Sequence, residues 1–275
     1  MVEPSGTDSP IARGPSSATG AGAFVDPRLS PSFLALAGTE ASYELKFLVT
    51  PETAARIVDY ASCRLSPDPF ADPALGGAYV INSLYLDTPD LAVFHRRGSY
   101  ARRKYRVRRY GESPEAFLER KTKIGERVAK RRVAVPLGEV DRLSAATDDA
   151  GWVGEWFRRR VAARGLGPVI LVRYERVAFY GIADGRPVRL TLDRSITSAP
   201  HLSWDLRNVG ASRPLLTGRV VLELKFRGAV PALFKKLMQE FLIVPEQASK
   251  YRSAIAVWND ESSPGRRGTI PAPER

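Results

Sequence analysis

The chain is short of several things, and each shortage excludes something. A single cysteine, Cys63, stands among 275 residues, so no intrachain disulfide can form and no Cys-rich zinc site exists. Two histidines, His95 and His201, lie far apart, match no zinc-ligand spacing and leave no Ser/His/Asp arrangement discernible. No run of about 18 apolar residues occurs, so no membrane span is expected. The N-terminus lacks a basic stretch followed by an apolar one, which argues against a secretory signal and makes a cytoplasmic location the default. No Gly-x-x-x-x-Gly-Lys-[Ser/Thr] loop is found, so a P-loop NTPase is unsupported. Acidic residues fall short as well, with 30 Asp and Glu against 42 Lys and Arg, for a net charge of +12. Such a balance implies an anionic partner without saying which.

What is present suffices for a core, since 44% of the residues are hydrophobic. Residues 1–39 are rich in Pro, Ser, Gly and Ala and read as a disordered arm, and residues 261–275 read as a disordered tail. The folded part is expected at 40–260. The positive excess is concentrated: between Arg96 and Arg132 there are fifteen Lys and Arg and four Asp and Glu, a local net of +11. Arg outnumbers Lys by 33 to 9, which suits forked recognition of phosphate or carboxylate and also fits a GC-rich genome.

Strand signals dominate the folded part. Strands are expected at 42–48, 79–87, 102–110, 116–123, 128–135, 169–180, 188–196 and 219–226. Helices are expected from Thr50-Pro51 to about Arg64, at 152–163, at 231–242 and at 247–257, with a short capped helix after Thr88. Eight strands joined mostly as hairpins suggest a closed antiparallel barrel with peripheral helices, an α+β fold. Trp152, Trp156 and Phe157 lie at helical spacing and read as core. Cys63 reads as a buried thiol, and Arg158-Arg159-Arg160 as a solvated helix face.

Residues two apart on a strand share a face. By that rule Glu44 and Lys46 fall together, as do Lys104, Arg106 and Arg108, then Glu119, Lys121 and Lys123, then Arg189, Thr191 and Asp193, and finally Glu223 and Lys225. The opposite faces are mainly apolar. A solvated outer face explains any one such strand. Glu-x-Lys recurring three times, with little Thr, Ser or Gln, instead favours charged faces turned inward around a cationic lumen. A lumen of this kind suits a polyanion, with carboxylates available to a divalent metal. Lys250 could close one end of it or sit on the surface, and the residues alone favour the surface. A nucleic-acid surface over 96–132, with Tyr100, Tyr105, Tyr110 and Phe117 interleaved, is disfavoured because Arg106 and Arg108 would face inward.

Eight segments in order resemble the VTC domain, the polyphosphate polymerase branch of the triphosphate tunnel metalloenzymes. They are Tyr-Glu-Leu-Lys-Phe (43–47), Leu-Tyr-Leu-Asp-Thr (84–88), Tyr-Arg-Val-Arg-Arg-Tyr-Gly (105–111), Leu-Glu-Arg-Lys-Thr (118–122), Tyr-Glu-Arg-Val-Ala-Phe (174–179), Val-Arg-Leu-Thr-Leu-Asp (188–193), Val-Leu-Glu-Leu-Lys-Phe (221–226) and Ser-Lys-Tyr (249–251). The resemblance implies an eight-stranded triphosphate tunnel and a polymerase that moves the ATP γ-phosphate onto polyphosphate with Mn²⁺ or Mg²⁺. It implies Lys46, Arg106, Arg108, Lys121, Arg176, Arg189 and Lys250 as phosphate ligands and Glu223 as metal ligand. Lys130, Lys123, Lys225, Glu119 and Glu44 are implied as further substrate-side groups. A tunnel triphosphatase and a non-catalytic polyphosphate binder remain the alternatives. Two departures stand out. Ser42 replaces the first Glu of the hydrolytic branch's Glu-x-Glu-x-Lys, which favours the VTC branch. Lys123 stands where the polymerases tend to carry His.

Overall fold

The computed structural model describes residues 42–124, 127–146, 149–207 and 210–259, and for Ser42 and residues 123, 124, 127 and 128 only the backbone. The expected arm at 1–39 and tail at 261–275 lie outside the described residues.

In chain order the elements are β1 (Ser42–Val49), α1 (Pro51–Ser62), β2 (Ser66–Pro67), β3 (Ala78–Asp87), β4 (Arg103–Tyr110), β5 (Glu115–Ile124), β6 (Arg127–Pro136), α2 (Glu155–Ala162), β7 (Gly167–Ala183), β8 (Arg186–Pro200), β9 (Arg213–Pro214), β10 (Val220–Arg227), α3 (Ala232–Glu240) and α4 (Lys250–Asn259). Eight long strands run β1-β10-β8-β7-β3-β4-β5-β6, with β2 added to β7 and β9 to β8. Every pairing is antiparallel. This is the α+β antiparallel architecture expected, but the expected closure of the barrel is corrected. The backbone ladder does not close, because β1 and β6 are the two ends of the path. Side chains span the gap: Lys121 Nζ on β5 lies 3.3 Å from Glu44 Oε2 on β1.

Local chemistry explains the elements. Thr50 caps α1 by accepting from the Thr53 N–H at 3.2 Å, Pro51 opens the helix, and Glu52 lies in its first turn. The buried face of α1 is Ala54, Ile57, Tyr60 and Ala61, at helical spacing. The β7–β8 hairpin turns on Asp184-Gly185, whose φ angles of 50° and 70° belong to a two-residue turn of the type that matches strand twist.

Alternation along the strands divides the molecule into an inside and an outside. On the outside, Phe47, Leu190, Leu192, Leu222, Leu224 and Phe226 pack with Ile57 of α1 and with Phe234 and Leu237 of α3. Tyr105, Val107 and Leu118 join a second cluster with Phe157 and Val161 of α2 and with Val140 and Leu143. Helices therefore cover the apolar faces, and the charged faces turn toward the axis. No helix among the described residues is long and apolar enough to cross a membrane.

Three local expectations are corrected. The short helix after Thr88 is a series of turns wrapped on a carboxylate: buried Asp87 accepts from the N–H groups of Thr88 (2.7 Å), Val93 (2.7 Å) and Phe94 (2.9 Å), so only scattered backbone bonds such as His95 N–H to Leu91 O remain and no regular helix forms. Cys63 is exposed, because α1 ends just before it. Arg158 is buried rather than solvated, its guanidinium forked onto Glu155 at 2.7 and 2.8 Å. Trp152 and Phe157 are buried, and Trp156 packs against the same cluster.

Candidate active site: a charged lumen

The cross-strand register assembles the site. Lys46 pairs with Glu223, Glu223 with Thr191, Lys225 with Arg189, and Arg176 with Asp193. On the other wall Arg106 pairs with Glu119, Glu119 with Arg132, and Lys121 with Lys130. Paired residues share a face, so all of these side chains point into one lumen. Lys250 enters from the first turn of α4. Its Nζ lies 2.5 Å from Asp193 Oδ2 and 3.6 Å from Glu223 Oε1, and it is buried. The surface position favoured by the residues alone is thereby corrected.

Two carboxylate nodes organise the cations. At the first, Lys46 Nζ lies 3.0 Å from Glu44 Oε1 and 3.3 Å from Glu223 Oε1. Lys225 Nζ lies 3.7 Å from Glu44 Oε2 and 3.4 Å from Glu223 Oε2. At the second, Glu119 holds Arg106 at 2.5 Å, Lys130 at 2.8 Å and Arg132 at 3.4 Å. Between the nodes, Arg176 forks onto Asp193 at 2.6 and 2.7 Å. Arg108 donates to Ser83 Oγ at 3.1 Å. Arg189 donates to Asp68 at 2.8 Å and to Tyr79 Oη at 3.1 Å.

Burial and charge set the protonation of these groups. Burial pushes the Glu223 carboxyl up, but Lys46, Lys225, Lys250 and Arg176 overcome it and hold Glu223 well below the carboxylate range. Glu119 is likewise held low against its burial by Arg106, Lys130, Arg108 and Arg132. Glu44 is held low by Lys225, Lys46 and Lys121, although burial and neighbouring Glu223 oppose this. Some cations move the other way. Desolvation in the tunnel mouth and the like charges of Lys46, Lys121, Arg106 and Arg96 pull Lys104 down to about 7. Desolvation, with Arg132 and Arg106 adding to it and Glu119 resisting, brings Lys130 to about 8. Burial would raise the Tyr110 phenol, yet Arg132 and Arg108 draw it down to about 6.

Two buried donors lack a hydrogen-bond acceptor among the described residues, Nη2 of Arg132 and Nε of Arg189, and Nε of Arg132 has only the Glu119 carboxylate at 3.4 Å, without hydrogen-bond geometry. Buried donors without acceptors are costly, and an anion in the lumen would satisfy them. No cluster of three or more His, Cys, Asp or Glu able to hold a metal occurs among the described residues. Glu44 and Glu223 nevertheless stand side by side, sharing Lys46 and Lys225. One or two carboxylates completed by substrate phosphate oxygens is a donor set that Mg²⁺ and similar hard cations accept. The residues present therefore fit a metal that arrives with its phosphate.

Of the residues named from sequence, Glu44, Lys46, Arg106, Arg108, Glu119, Lys121, Lys130, Arg176, Arg189, Glu223, Lys225 and Lys250 converge on this lumen. Lys123 belongs to the residues of which only the backbone is described. The alternation places Lys104 and Asp193 on inward charged faces without giving them a role, and it does not single out Arg132. Arg132 lies two residues from Lys130 on the same strand, so the same period-2 signal was sufficient to find it.

The profile of the VTC domain matches residues 41–259. The chain belongs to the VTC domain family. No curated protein matches it. Solved structures similar to this VTC domain include a candidate adenylate cyclase of Bacillus halodurans, 16% identical with a TM-score of 0.47 over 76% of this chain and 94% of that one. A candidate adenylyl cyclase from Hippeastrum, described as having a dominant triphosphatase activity, is 14% identical with a TM-score of 0.47 over 79% and 96%. The PH1819 protein of Pyrococcus horikoshii OT3 is 16% identical with a TM-score of 0.43 over 78% and 98%. At these scores the likeness carries nothing about the activity of this VTC domain.

Proposed function

We propose that this VTC domain is a metal-dependent polyphosphate polymerase that transfers the γ-phosphoryl group of ATP to a growing polyphosphate chain. The observation that carries the reading is the convergence of Lys46, Arg106, Arg108, Lys121, Arg176, Arg189 and Lys250 on one lumen, together with the acceptor-free donors of Arg132 and Arg189. Such a channel matches a linear polyanion along its length, and Arg meets phosphate with paired hydrogen bonds.

Glu223 and Glu44 would hold Mn²⁺ or Mg²⁺, which when bound would supply charge neutralisation at the phosphate oxygens. Lys46, Lys250 and Arg176, clustered around Glu223, would orient the γ-phosphoryl group and stabilise the charge that develops on it. A terminal oxygen of the chain attacks the γ-phosphorus, the bond to the β–γ bridging oxygen breaks, and ADP leaves with that oxygen. The attacking oxygen is already anionic, so no base is required. Hydrolysis would instead need a carboxylate to orient the water, and Glu44, Glu119 and Glu223 are each engaged by cations in the free protein.

The test is an assay of purified protein with ATP and Mn²⁺ or Mg²⁺. Long-chain polyphosphate is expected, with Glu223→Gln lowering the rate by about 10²-fold or more, the scale of losing one electrostatic contact to a transition state. Orthophosphate release without chain growth would establish the hydrolytic alternative. Tight polyphosphate binding with no turnover under any metal or primer condition would establish the binder.

A further inference from the structure

The charged lumen ends, on the side of Tyr79 and Tyr110, at a pocket the phosphate chemistry does not use. Its volume is about 400 Å³, and its walls include the rings of Phe70, Tyr79, Tyr110 and Phe117 and the charged groups of Asp72, Glu112 and Arg173. This lies within the size range of small-molecule sites. Phe70 is stacked on Tyr110 with centroids 6.2 Å apart and planes 22° apart, and it meets Tyr79 edge-on at 6.0 Å. Tyr110 in turn meets Phe117 at 5.4 Å.

Beneath the rings stand guanidinium groups. Arg132 lies 3.6 Å from the Phe117 centroid and 5.3 Å from that of Tyr110. Arg189 reaches Tyr79 Oη at 3.1 Å. The loop carrying Phe70 is tied to the same cations, because Asp68 accepts from the Phe70 N–H at 3.1 Å and from Arg189 at 2.8 Å. Buried donors of Arg132 and Arg189 have no acceptor among the described residues. An aromatic pocket whose rings Tyr79, Tyr110 and Phe117 are backed by the guanidinium groups of Arg189 and Arg132 matches a ligand that is flat and apolar at one end and phosphorylated at the other.

We propose that this rim pocket holds the nucleobase of the nucleoside triphosphate, with its phosphates passing inward along Arg132 and Arg189. The inference rests on the polyphosphate reading of the lumen and deepens it, because it assigns a nucleoside subsite and a direction of approach. Base stacking on a single aromatic ring is worth about a tenfold change in affinity.

The test is calorimetric titration of the purified chain, in Mg²⁺, with a β,γ-imido analogue of ATP and with inorganic tripolyphosphate. Phe70→Ala should weaken the nucleotide analogue about tenfold and tripolyphosphate by less than about twofold. Phe70 also packs on the core beneath it, so Phe70→Leu, which keeps apolar bulk and loses the ring, should give the same split. Unchanged affinity for the analogue in both variants, or equal weakening of both ligands, would overturn the subsite while leaving the tunnel reading standing. Failure of the wild type to bind either ligand would overturn the tunnel reading and the subsite with it.

Discussion

Glu119 keeps only 2% of its side chain exposed while neutralising Arg106, Lys130 and Arg132. Its replacement would leave three cations facing one another without a counter-ion. Removing one partner of a buried ion pair typically costs about 3–5 kcal/mol, so Glu119→Gln should lower the melting temperature by on the order of 10 °C for a domain of this size. Added tripolyphosphate should recover much of the loss, because the ligand brings the missing negative charge. A drop that tripolyphosphate leaves untouched, read by thermal denaturation, would argue that Glu119 serves packing alone. At this scale the sequence was informative about which residues share a face, and less so about which are buried. Arg158 looked like part of a solvated Arg run, although Glu155 three residues earlier was the available sign that it could be paired and buried. Phe70 carried no signal at all, because an isolated aromatic in a loop has no periodicity to place it.

Among the elements, α4 shapes the lumen from outside the sheet. Lys250 projects from its first turn onto Asp193, and Tyr251 donates to Asp87, the same carboxylate that gathers the turn after β3. Tyr251 also stacks on Tyr85, with centroids 5.1 Å apart. Besides the Lys250 ion pair, Tyr251 therefore anchors the helix by a hydrogen bond to a buried charge and by ring contacts with Tyr85 and Phe94. Tyr251→Phe keeps the ring and loses the hydrogen bond, at a cost of about 1.5–3 kcal/mol for a bond to a charged group. Urea denaturation should show that loss with an unchanged slope. A stability equal to wild type would mean that the backbone N–H groups already satisfy Asp87 by themselves. Strand and helix positions were legible from alternation and caps such as Thr50-Pro51. The segment after Thr88 was misread because Thr-Pro-Asp resembles a helix start, whereas Asp87, just upstream, draws the N–H groups onto itself.

For the whole molecule, crowding cations into one lumen has a consequence in pH. Desolvation and crowding by like charge lower the Lys104 and Lys130 amines below the usual lysine range, although solvent still reaches both side chains, so near pH 8 a fraction of each is neutral in the free protein. A bound polyanion favours their charged forms and raises both values, so the two amines take up protons on binding, against any proton that the ligand itself gives up. Titration of tripolyphosphate at pH 8 in two buffers of different ionisation heat should show that uptake, shrinking as the pH falls through 7 and both amines become charged beforehand. An uptake that is the same in the Lys104→Met, Lys130→Met double variant as in the wild type would contradict the assignment, because the ligand's own proton is common to both. What the sequence determined by itself is the two-faced character of the strands, since a side-chain period of two follows from strand geometry whatever surrounds it. The net charge of +12 likewise called for an anion. Whether the charged faces met water outside or one another inside was left to the tertiary structure. Both arrangements satisfy the same alternation, and the choice falls only when α1, α2 and α3 cover the apolar faces. The backbone ladder stays open between β1 and β6, and Lys121 with Glu44 bridges the ends, because opposite charges placed far apart in sequence become partners only once the sheet has curled.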